Sequence, residues 1–298
     1  MTEILDGKKL SLEIKEILKE RVEKCINPPN IKYICNQNRP PCLYIIQVGK
    51  NDVSDIYVRH KTKMCEEIGC TYQIHNFSEN AEEIDIVDAI ERANSNNFID
   101  GIMIQLPLPR TLNKDCILET ISPVKDVDGM GIHNIGSLAL RNPETRPATP
   151  FGIMCLLEHY NVFHEGKHVV IVGASNIVGR PMALEMLLAG ATVTVCHRFT
   201  ENLKSHVEMA DILISAMGKR GIIESEWIKE KSVVVDVGIN KDENGKICGD
   251  IDFESAKLRA SFITPVPGGV GPMTVVSLMK NLVGIYEQNT GYGMIFDE

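Results

Sequence analysis

Apolar and polar positions along the first half of the chain follow the pattern of alternating strands and helices. Short apolar runs predict buried strands, and apolar residues spaced three and four apart predict helices. One such helix extends from about Val53 to Ile68 and ends before Gly69. The predicted strands of this half are LYIIQVG (43–49), TYQIHNF (71–77) and IDGIMIQLPLP (99–109). Strands that alternate with helices predict a parallel sheet with helical crossovers.

The same pattern begins again near Lys167 and continues to about residue 269. The sequence therefore predicts an α/β fold with two α/β domains and a cleft between them, the second a Rossmann-type parallel sheet. A proline-rich turn, RPATPFG (146–152), joins them and leads into a helix that we expect Thr149 to cap. The last helix, 272–288, is expected to return to the first domain. The first domain then comprises residues 1–148 and 273–298, and the second comprises residues 149–272.

Two further segments have simple interpretations. The N-terminal stretch MTEILDGKKLSLEIKEILKERVEK has the pattern of an amphipathic helix with mixed charges, which does not resemble a secretory signal. The segment Pro28–Pro41 is rich in Pro and Asn and is expected to be a surface insertion without chemistry. No apolar run approaches the length that spans a bilayer.

Composition narrows the function classes. The chain has 298 residues with 44% hydrophobic and 24% charged residues, as in soluble globular proteins. Its net charge of −9 argues against nucleic-acid or membrane-surface partners, which are themselves anionic. The nine cysteines form no C-x-x-C pair and the eight histidines no H-E-x-x-H pair, so we expect reduced buried thiols and no metal. These features predict a cytoplasmic enzyme.

The stretch VVIVGASNIVGRP (169–181) carries the most chemical information. It predicts a buried strand, a glycine-rich turn at Gly173, Ser175 and Gly179, and the start of a helix. Such a turn forms an anion site that suits a pyrophosphate, although its spacing is G-x-S-x-x-x-G and not G-x-G-x-x-G. An ordinary strand–helix turn without a ligand is the alternative.

The end of the next strand, ATVTVCHR (191–198), indicates which dinucleotide is bound. An NAD site usually has Asp or Glu there, whereas this chain has Arg198 and no acidic residue before Glu201. A guanidinium matches a phosphate in geometry and charge, so Arg198 favours NADP; a solvated arginine is the alternative.

Three polar clusters follow predicted elements of the first domain. Tyr57 and Lys61 are four residues apart on one helix face, Gln105 directly follows a strand, and Asp126 and Asp128 lie in a short loop. A lysine in such a place can transfer a proton, an amide can orient it, and a carboxylate can bind an aminopyrimidine edge. Considered alone, each has a simpler interpretation: spacing alone favours a solvated lysine, and loop Asp residues usually form turns.

Taken together, the segments YVRHK, QLPLP, PVKDVDG, RPATPFG, VGASNIVGRP, DVGIN and TPVPGGVGPMT resemble the bifunctional methylenetetrahydrofolate dehydrogenase/methenyltetrahydrofolate cyclohydrolase family, the FolD type. The resemblance covers nearly the whole chain. It implies a homodimer in one-carbon metabolism, with a role in purine biosynthesis, that uses NADP to oxidise tetrahydrofolate one-carbon derivatives.

The resemblance also implies a role for individual residues. Lys61 matches the catalytic lysine and Gln105 its positioning partner, while Tyr57 stacks on the pterin and Asp128 holds its aminopyrimidine edge. Further substrate-binding positions are Leu106, Pro267, Gly268 and Gly269, and the cofactor-binding positions are Thr149, Gly173, Ala174, Ser175, Ile177, Val178, Arg198 and Ile239. Many members have Arg in place of Ala174 and Ser in place of Arg198; the pairing found here resembles the bacterial NADP enzymes.

Three other functions compete with this one. A monofunctional dehydrogenase of the same fold would lack the hydrolysis step. A shikimate- or amino-acid-type dehydrogenase would leave QLPLP and PVKDVDG unexplained, and a non-catalytic nucleotide sensor would leave Lys61 without a role.

Overall fold

The structure is a computed structural model that describes residues 2–27 and 39–291. It divides into two compact units. The six-stranded unit contains the described residues of Met1–Leu12, Ser137–Pro143 and Thr149–Thr274, and the three-stranded unit contains those of Glu13–Gly136, Glu144–Ala148 and Val275–Glu298. Most of the predicted insertion Pro28–Pro41, residues 28–38, lies outside the described residues.

The elements follow the predicted alternation. The helices are α1 (Gly7–Ile26), α2 (Asp52–Glu67), α3 (Glu83–Asn94), α4 (Lys114–Glu119), α5 (Ile132–Ala139), α6 (Ala148–His159), α7 (Gly179–Leu188), α8 (Leu203–Glu208), α9 (Phe253–Lys257) and α10 (Val270–Thr290). The strands are β1 (Glu3–Ile4), β2 (Cys42–Val48), β3 (Thr71–Phe77), β4 (Gly101–Ile104), β5 (His168–Val172), β6 (Thr192–Cys196), β7 (Ile212–Ser215), β8 (Val233–Asp236), β9 (Asn240–Lys241), β10 (Ile247–Cys248) and β11 (Phe262–Ile263).

The larger sheet is parallel throughout and has the order β1-β11-β8-β7-β5-β6. This confirms the predicted α/β fold with a Rossmann-like parallel sheet. The chain first adds β6 on one side of β5 and then β7, β8 and β11 on the other. The order therefore reverses between β5 and β7, and ligands of such sheets bind at that point, beyond the carboxyl ends of the strands.

The smaller sheet is also parallel and has the order β3-β2-β4. All four residues of β4 are buried, whereas β3 is an edge strand that is largely exposed. The apolar core on this sheet includes Ile46, Ile102 and Ile104 from the two strands and Ile86 and Ile90 from α3. Because β2 and β4 are adjacent and parallel, the residues that follow them lie at the same edge of the sheet.

Two local predictions were wrong. The N-terminal segment is not helical from its first residue, because Glu3–Ile4 pairs with β11 and the Asp6 carboxylate accepts the Lys9 N–H at 2.9 Å, which caps α1. Thr149 does not cap α6, because the helix already begins at Ala148. Its hydroxyl lies 3.0 Å from the Thr274 hydroxyl instead.

Within the described residues, no helix is long and apolar enough to cross a bilayer.

Candidate functional site

The structure brings Lys61 and Gln105 together. Lys61 lies on α2 and is only 8% exposed, which contradicts the solvated lysine that spacing alone favours. Its Nζ donates a hydrogen bond to Gln105 Oε1 at 3.2 Å. Tyr57, one turn earlier on α2, is half-buried, and this burial raises the pKa of its phenol. A flat aromatic ring and an amine therefore share one face of this helix.

Gln105 is held at both its backbone and its side chain. Its N–H donates to Ile46 O at 2.8 Å, which extends the ladder between β4 and β2 by one residue. Its Nε2 donates to Leu106 O at 2.8 Å, directly before the cis Leu106–Pro107 bond. Because the amide nitrogen is engaged in this way, the amide oxygen is turned toward Lys61.

Lys61 and Asp128 influence each other electrostatically. Burial lowers the pKa of the Lys61 amine, and the negative charge of Asp128 opposes that shift. Burial raises the pKa of Asp128, the Lys61 charge lowers it, and neighbouring Asp126 adds to the rise. A lysine whose pKa is lowered can lose and regain its proton more easily near neutral pH.

The two aspartates of the PVKDVDG loop have different roles. Asp126 forms the turn: its carboxylate accepts the N–H groups of Gly129 at 3.0 Å and Gly131 at 2.8 Å, and the Asn134 side-chain amide at 2.9 Å. The half-buried Asp128 carboxylate receives no hydrogen bond from the described residues. It therefore has the capacity to accept donors from a ligand.

Several residues that support this site were not predicted. Ser54 Oγ donates to Leu106 O at 3.4 Å and connects the first turn of α2 to the loop after β4. Asn281 Nδ2 donates to Val127 O at 2.9 Å and to Arg146 O at 2.8 Å, which holds the loop that carries Asp128. A polar residue inside the apolar pattern of the last helix was the available signal for Asn281.

The glycine turn after β5 has the close backbone approaches that a phosphate loop requires. Gly173 has φ +123°, and a Cβ at this position would overlap the Ala216 carbonyl. A Cβ at Gly179 would overlap the Gly173 carbonyl. Both positions therefore require glycine, which lets the turn approach the neighbouring backbone this closely.

Side chains of the turn complete this arrangement. Ser175 Oγ accepts the Val178 N–H at 3.1 Å, and Val178 is the N-cap residue of α7. Arg180, which was not predicted, donates from Nε to Ala174 O at 3.1 Å and places a positive charge at the turn. Two large apolar side chains remain exposed near strand ends, Ile177 at 39% and Ile239 at 47%.

Arg198 lies directly beyond the end of β6. Gly173 N donates to Cys196 O at 2.9 Å, so the glycine turn and the end of β6 are adjacent. The Arg198 guanidinium stacks on the Phe199 ring at 4.6 Å from its centroid, and both residues are exposed. An exposed guanidinium at this place suits a phosphate on the ribose.

The segment from Pro265 to Gly269, which directly precedes α10, is a tight turn. Its Val266–Pro267 bond is cis, Gly268 has φ +110°, and Gly269 N donates to Pro265 O at 2.8 Å. Gly7 packs on this turn so closely that a Cβ there would overlap Gly269 O. In residues 2–27 and 39–291, no cluster of three or more His, Cys, Asp or Glu side chains has the arrangement of a metal site.

Comparison with known proteins gives two family matches. Residues 5–128 match the catalytic domain of tetrahydrofolate dehydrogenase/cyclohydrolase, and residues 147–290 match its NAD(P)-binding domain.

Solved structures agree with these matches. A bifunctional FolD methylenetetrahydrofolate dehydrogenase/cyclohydrolase from Campylobacter jejuni is 44% identical, with a TM-score of 0.92 over 97% of this chain and 100% of that one. A FolD from Trypanosoma brucei, complexed with NADP cofactor and inhibitor, is 34% identical, with a TM-score of 0.90 over 97% and 98% of the two chains. A bifunctional enzyme from Thermoplasma acidophilum is 32% identical, with a TM-score of 0.87 over 96% and 100%. This chain therefore belongs to the tetrahydrofolate dehydrogenase/cyclohydrolase family.

Proposed function

We propose that this protein oxidises 5,10-methylenetetrahydrofolate to 5,10-methenyltetrahydrofolate with NADP and then hydrolyses the product to 10-formyltetrahydrofolate. Family membership over nearly the whole chain supports both reactions. The observation that carries the hydrolytic step is the buried Lys61 amine, held by Gln105 and influenced by the charge of Asp128. Neither a monofunctional dehydrogenase nor a nucleotide sensor needs such a lysine.

The domain roles follow from these groups. We assign the folate-binding catalytic role to the predicted domain of residues 1–148 and 273–298, and the NADP-binding role to the predicted domain of residues 149–272. Within the first domain, the described residues of Met1–Leu12 and Ser137–Pro143 group with the six-stranded unit. In the catalytic domain, the Tyr57 ring stacks on the pterin, and the Asp128 carboxylate accepts hydrogen bonds from its aminopyrimidine edge. Leu106 and the loop 267–269 provide further substrate contacts.

The residues around the glycine turn fit NADP. The glycine turn at Gly173, Ala174 and Ser175 and the N-terminal end of α7 suit the pyrophosphate, and Arg198 suits the 2′-phosphate. The exposed apolar side chains of Ile177 and Ile239 offer surface to flat rings. The remaining contacts assigned to NADP are Thr149 and Val178. When bound, NADP accepts the hydride that leaves the methylene carbon.

Lys61 carries the hydrolytic step. Water attacks the electrophilic methenyl carbon, and the neutral Lys61 amine takes a proton from that water. The protonated amine returns this proton to the folate nitrogen as the ring C–N bond breaks, and the remaining hydroxyl proton is released to solvent as the formyl C=O forms. Gln105 keeps the amine aimed during both transfers, since its oxygen accepts a hydrogen bond from Nζ. Burial favours the neutral form that begins the cycle.

The assembly and location are part of the same proposal. We place the protein in the cytoplasm as a homodimer. The edge strand β3 supports the dimer, because its outer backbone edge is unpaired among the described strands and Ile74 is 40% exposed. The buried cysteines are reduced thiols, as is usual in a reducing compartment: Cys25, Cys42, Cys65, Cys70 and Cys196.

The test follows the absorbance of the methenyl compound formed from methylenetetrahydrofolate, first with NADP and then with NAD. Bifunctional activity predicts NADP-dependent formation followed by decay to the formyl product. Methenyl compound that accumulates and decays only at the uncatalysed rate would identify a monofunctional dehydrogenase. Equal rates with the two cofactors would refute the NADP assignment.

A further inference from the structure

The loops after β7 and β8 lie at the carboxyl edge of the six-stranded sheet. Ala216, in the first loop, packs against Gly173, and its N–H donates to Val172 O at 2.8 Å. Ile239, in the second loop, is one of the residues assigned to NADP. The positions of these two loops therefore shape the proposed cofactor site.

One buried carboxylate holds both loops. Asp250 is fully buried, and its Oδ2 accepts the N–H groups of Met217 at 2.9 Å and Gly218 at 3.2 Å. The same oxygen accepts the Ser215 hydroxyl at 3.0 Å. Its Oδ1 accepts the Asn240 side-chain amide at 2.9 Å. Asp250 thus connects the end of β7 to the segment that follows Ile239.

A second carboxylate holds Asp250 in place. Asp236 ends β8, and its Oδ1 accepts the N–H groups of Gly238 at 2.9 Å and Asp250 at 3.1 Å. Its Oδ2 accepts the Ile251 N–H at 2.9 Å. A Cβ at Gly249 would overlap the Asp236 carboxylate, so glycine is required for this approach. We refer to Asp236 and Asp250, with these hydrogen bonds, as the carboxylate brace.

The brace has no role in the proposed chemistry, yet it contains two buried carboxyl groups in a sheet edge that otherwise needs only backbone hydrogen bonds. Such groups are costly to bury unless they are well satisfied. Every side-chain hydrogen bond to the Asp250 carboxylate comes from the last residue of β7, from the segment after β7 or from the segment after β8. This distribution is what would be needed to fix the spacing between the two loops.

We infer that Asp250 is a positioning residue for NADP, which holds the loops 216–218 and 237–240 in the geometry that binds the dinucleotide. The inference depends on the proposed function, because it assigns NADP to this edge. Asp250 itself does not contact the cofactor. Its loss is expected to weaken NADP binding while the Lys61 reaction, which needs no dinucleotide, continues.

The test uses Asp250→Asn in the full-length protein. An amide of the same size turns an NH₂ group toward N–H donors and loses at least one hydrogen bond to a charged group. The KM for NADP should rise by about tenfold or more on that basis. Methenyl hydrolysis, measured without NADP, should stay within about twofold of wild type, as expected for a site whose contacts are unchanged. Ser215→Ala, which removes one donor, should give a smaller rise in the same direction.

Asp252→Asn is the matched control. Asp252 lies two residues further along and is exposed, and its carboxylate caps α9 by accepting the Ser255 N–H at 3.0 Å. The KM of the Asp252→Asn variant for NADP should equal that of wild type. If Asp250→Asn does not fold, Ser215→Ala decides. A wild-type KM for NADP in the folded variants, or an equal loss of both activities, would overturn the inference. Wild-type protein without NADP-dependent activity would instead refute the proposed function.

Discussion

Replacement of Lys61 by Met separates the two proposed activities. The Nζ of Lys61 is buried and donates to Gln105 Oε1 at 3.2 Å, and the Asp128 charge opposes the lowering of its pKa. Methionine has similar length and flexibility but cannot accept or return a proton. The change therefore removes the proposed proton carrier and keeps most of the volume of the side chain.

The expected magnitudes differ for the two reactions. Proton transfer by a positioned side chain contributes about 10²- to 10⁴-fold, so methenyl hydrolysis should fall by about that factor. The dehydrogenase needs no proton from Lys61. The dehydrogenase rate should fall only because the Gln105 oxygen is left unpaired, which costs about 1–2 kcal/mol or roughly tenfold.

The assay measures each reaction separately. Hydrolysis starts from the methenyl compound without NADP and is followed by the loss of its absorbance, while oxidation is followed by the formation of NADPH. Lys63→Met is the matched control, because Lys63 lies on the same helix with an exposed side chain and makes an ion pair with Glu67 at 3.8 Å. Both activities of this control should equal those of wild type, since exposed pairs contribute little.

Two results would refute the reasoning. One is an equal loss of both activities in Lys61→Met, which would mean that the lysine acts on a shared step such as folate binding. The other is hydrolysis that remains within about tenfold of wild type, which is too little for the loss of a general acid–base group.

Two further predictions concern the six-stranded unit. Arg198→Ser should raise the KM for NADP by about tenfold or more and leave the KM for NAD nearly unchanged, because one charge-assisted hydrogen bond to phosphate contributes about 1.5–3 kcal/mol; an equal change in both KM values would contradict the 2′-phosphate assignment. Burial is the largest cause that raises the pKa of Asp236 to about 6 from 3.8, and the charge of Asp250 adds to it. Because the folded state holds the Asp236 proton more tightly than the unfolded state, this proton stabilises the fold at pH values below the unfolded pKa. The stabilisation is lost as pH rises through the folded pKa. Relative to Asp236→Asn, wild type should therefore lose about 2–3 kcal/mol of unfolding free energy between about pH 4 and pH 7. Urea unfolding measures this difference, and a difference that is constant with pH would refute the burial of the charge.

The alternation of strands and helices was sufficient to predict the α/β fold, because each apolar run forms one element and the crossovers are local. The sequence also indicated that Gln105 and Lys61 belong to the same edge of the sheet. Gln105 directly follows one predicted strand, and the helix that carries Lys61 follows another. It could not show that Lys61 is buried. Lys63 lies two residues away on the same helix, and only the tertiary position of Gln105 distinguishes the two lysines.

Long-range pairings account for what was missed. The strand β1 has two residues, and its pairing with β11 joins positions about 260 residues apart, which no local pattern reveals. The brace likewise links Asp250 to Ser215 across 35 positions. Burial of an aspartate depends on which N–H groups surround it, and the sequence alone presents Asp250 as one acid among several in a polar hairpin.

Titration of the Lys61 amine tests the central claim most directly. The amine can be followed by NMR of lysine methylated with ¹³C, with its resonance assigned by its absence in Lys61→Met. We predict a pKa below the ordinary lysine range, because burial disfavours the ammonium form, and a further decrease in Asp128→Asn, because the opposing negative charge is removed. An ordinary lysine pKa that does not respond to Asp128→Asn would contradict the account.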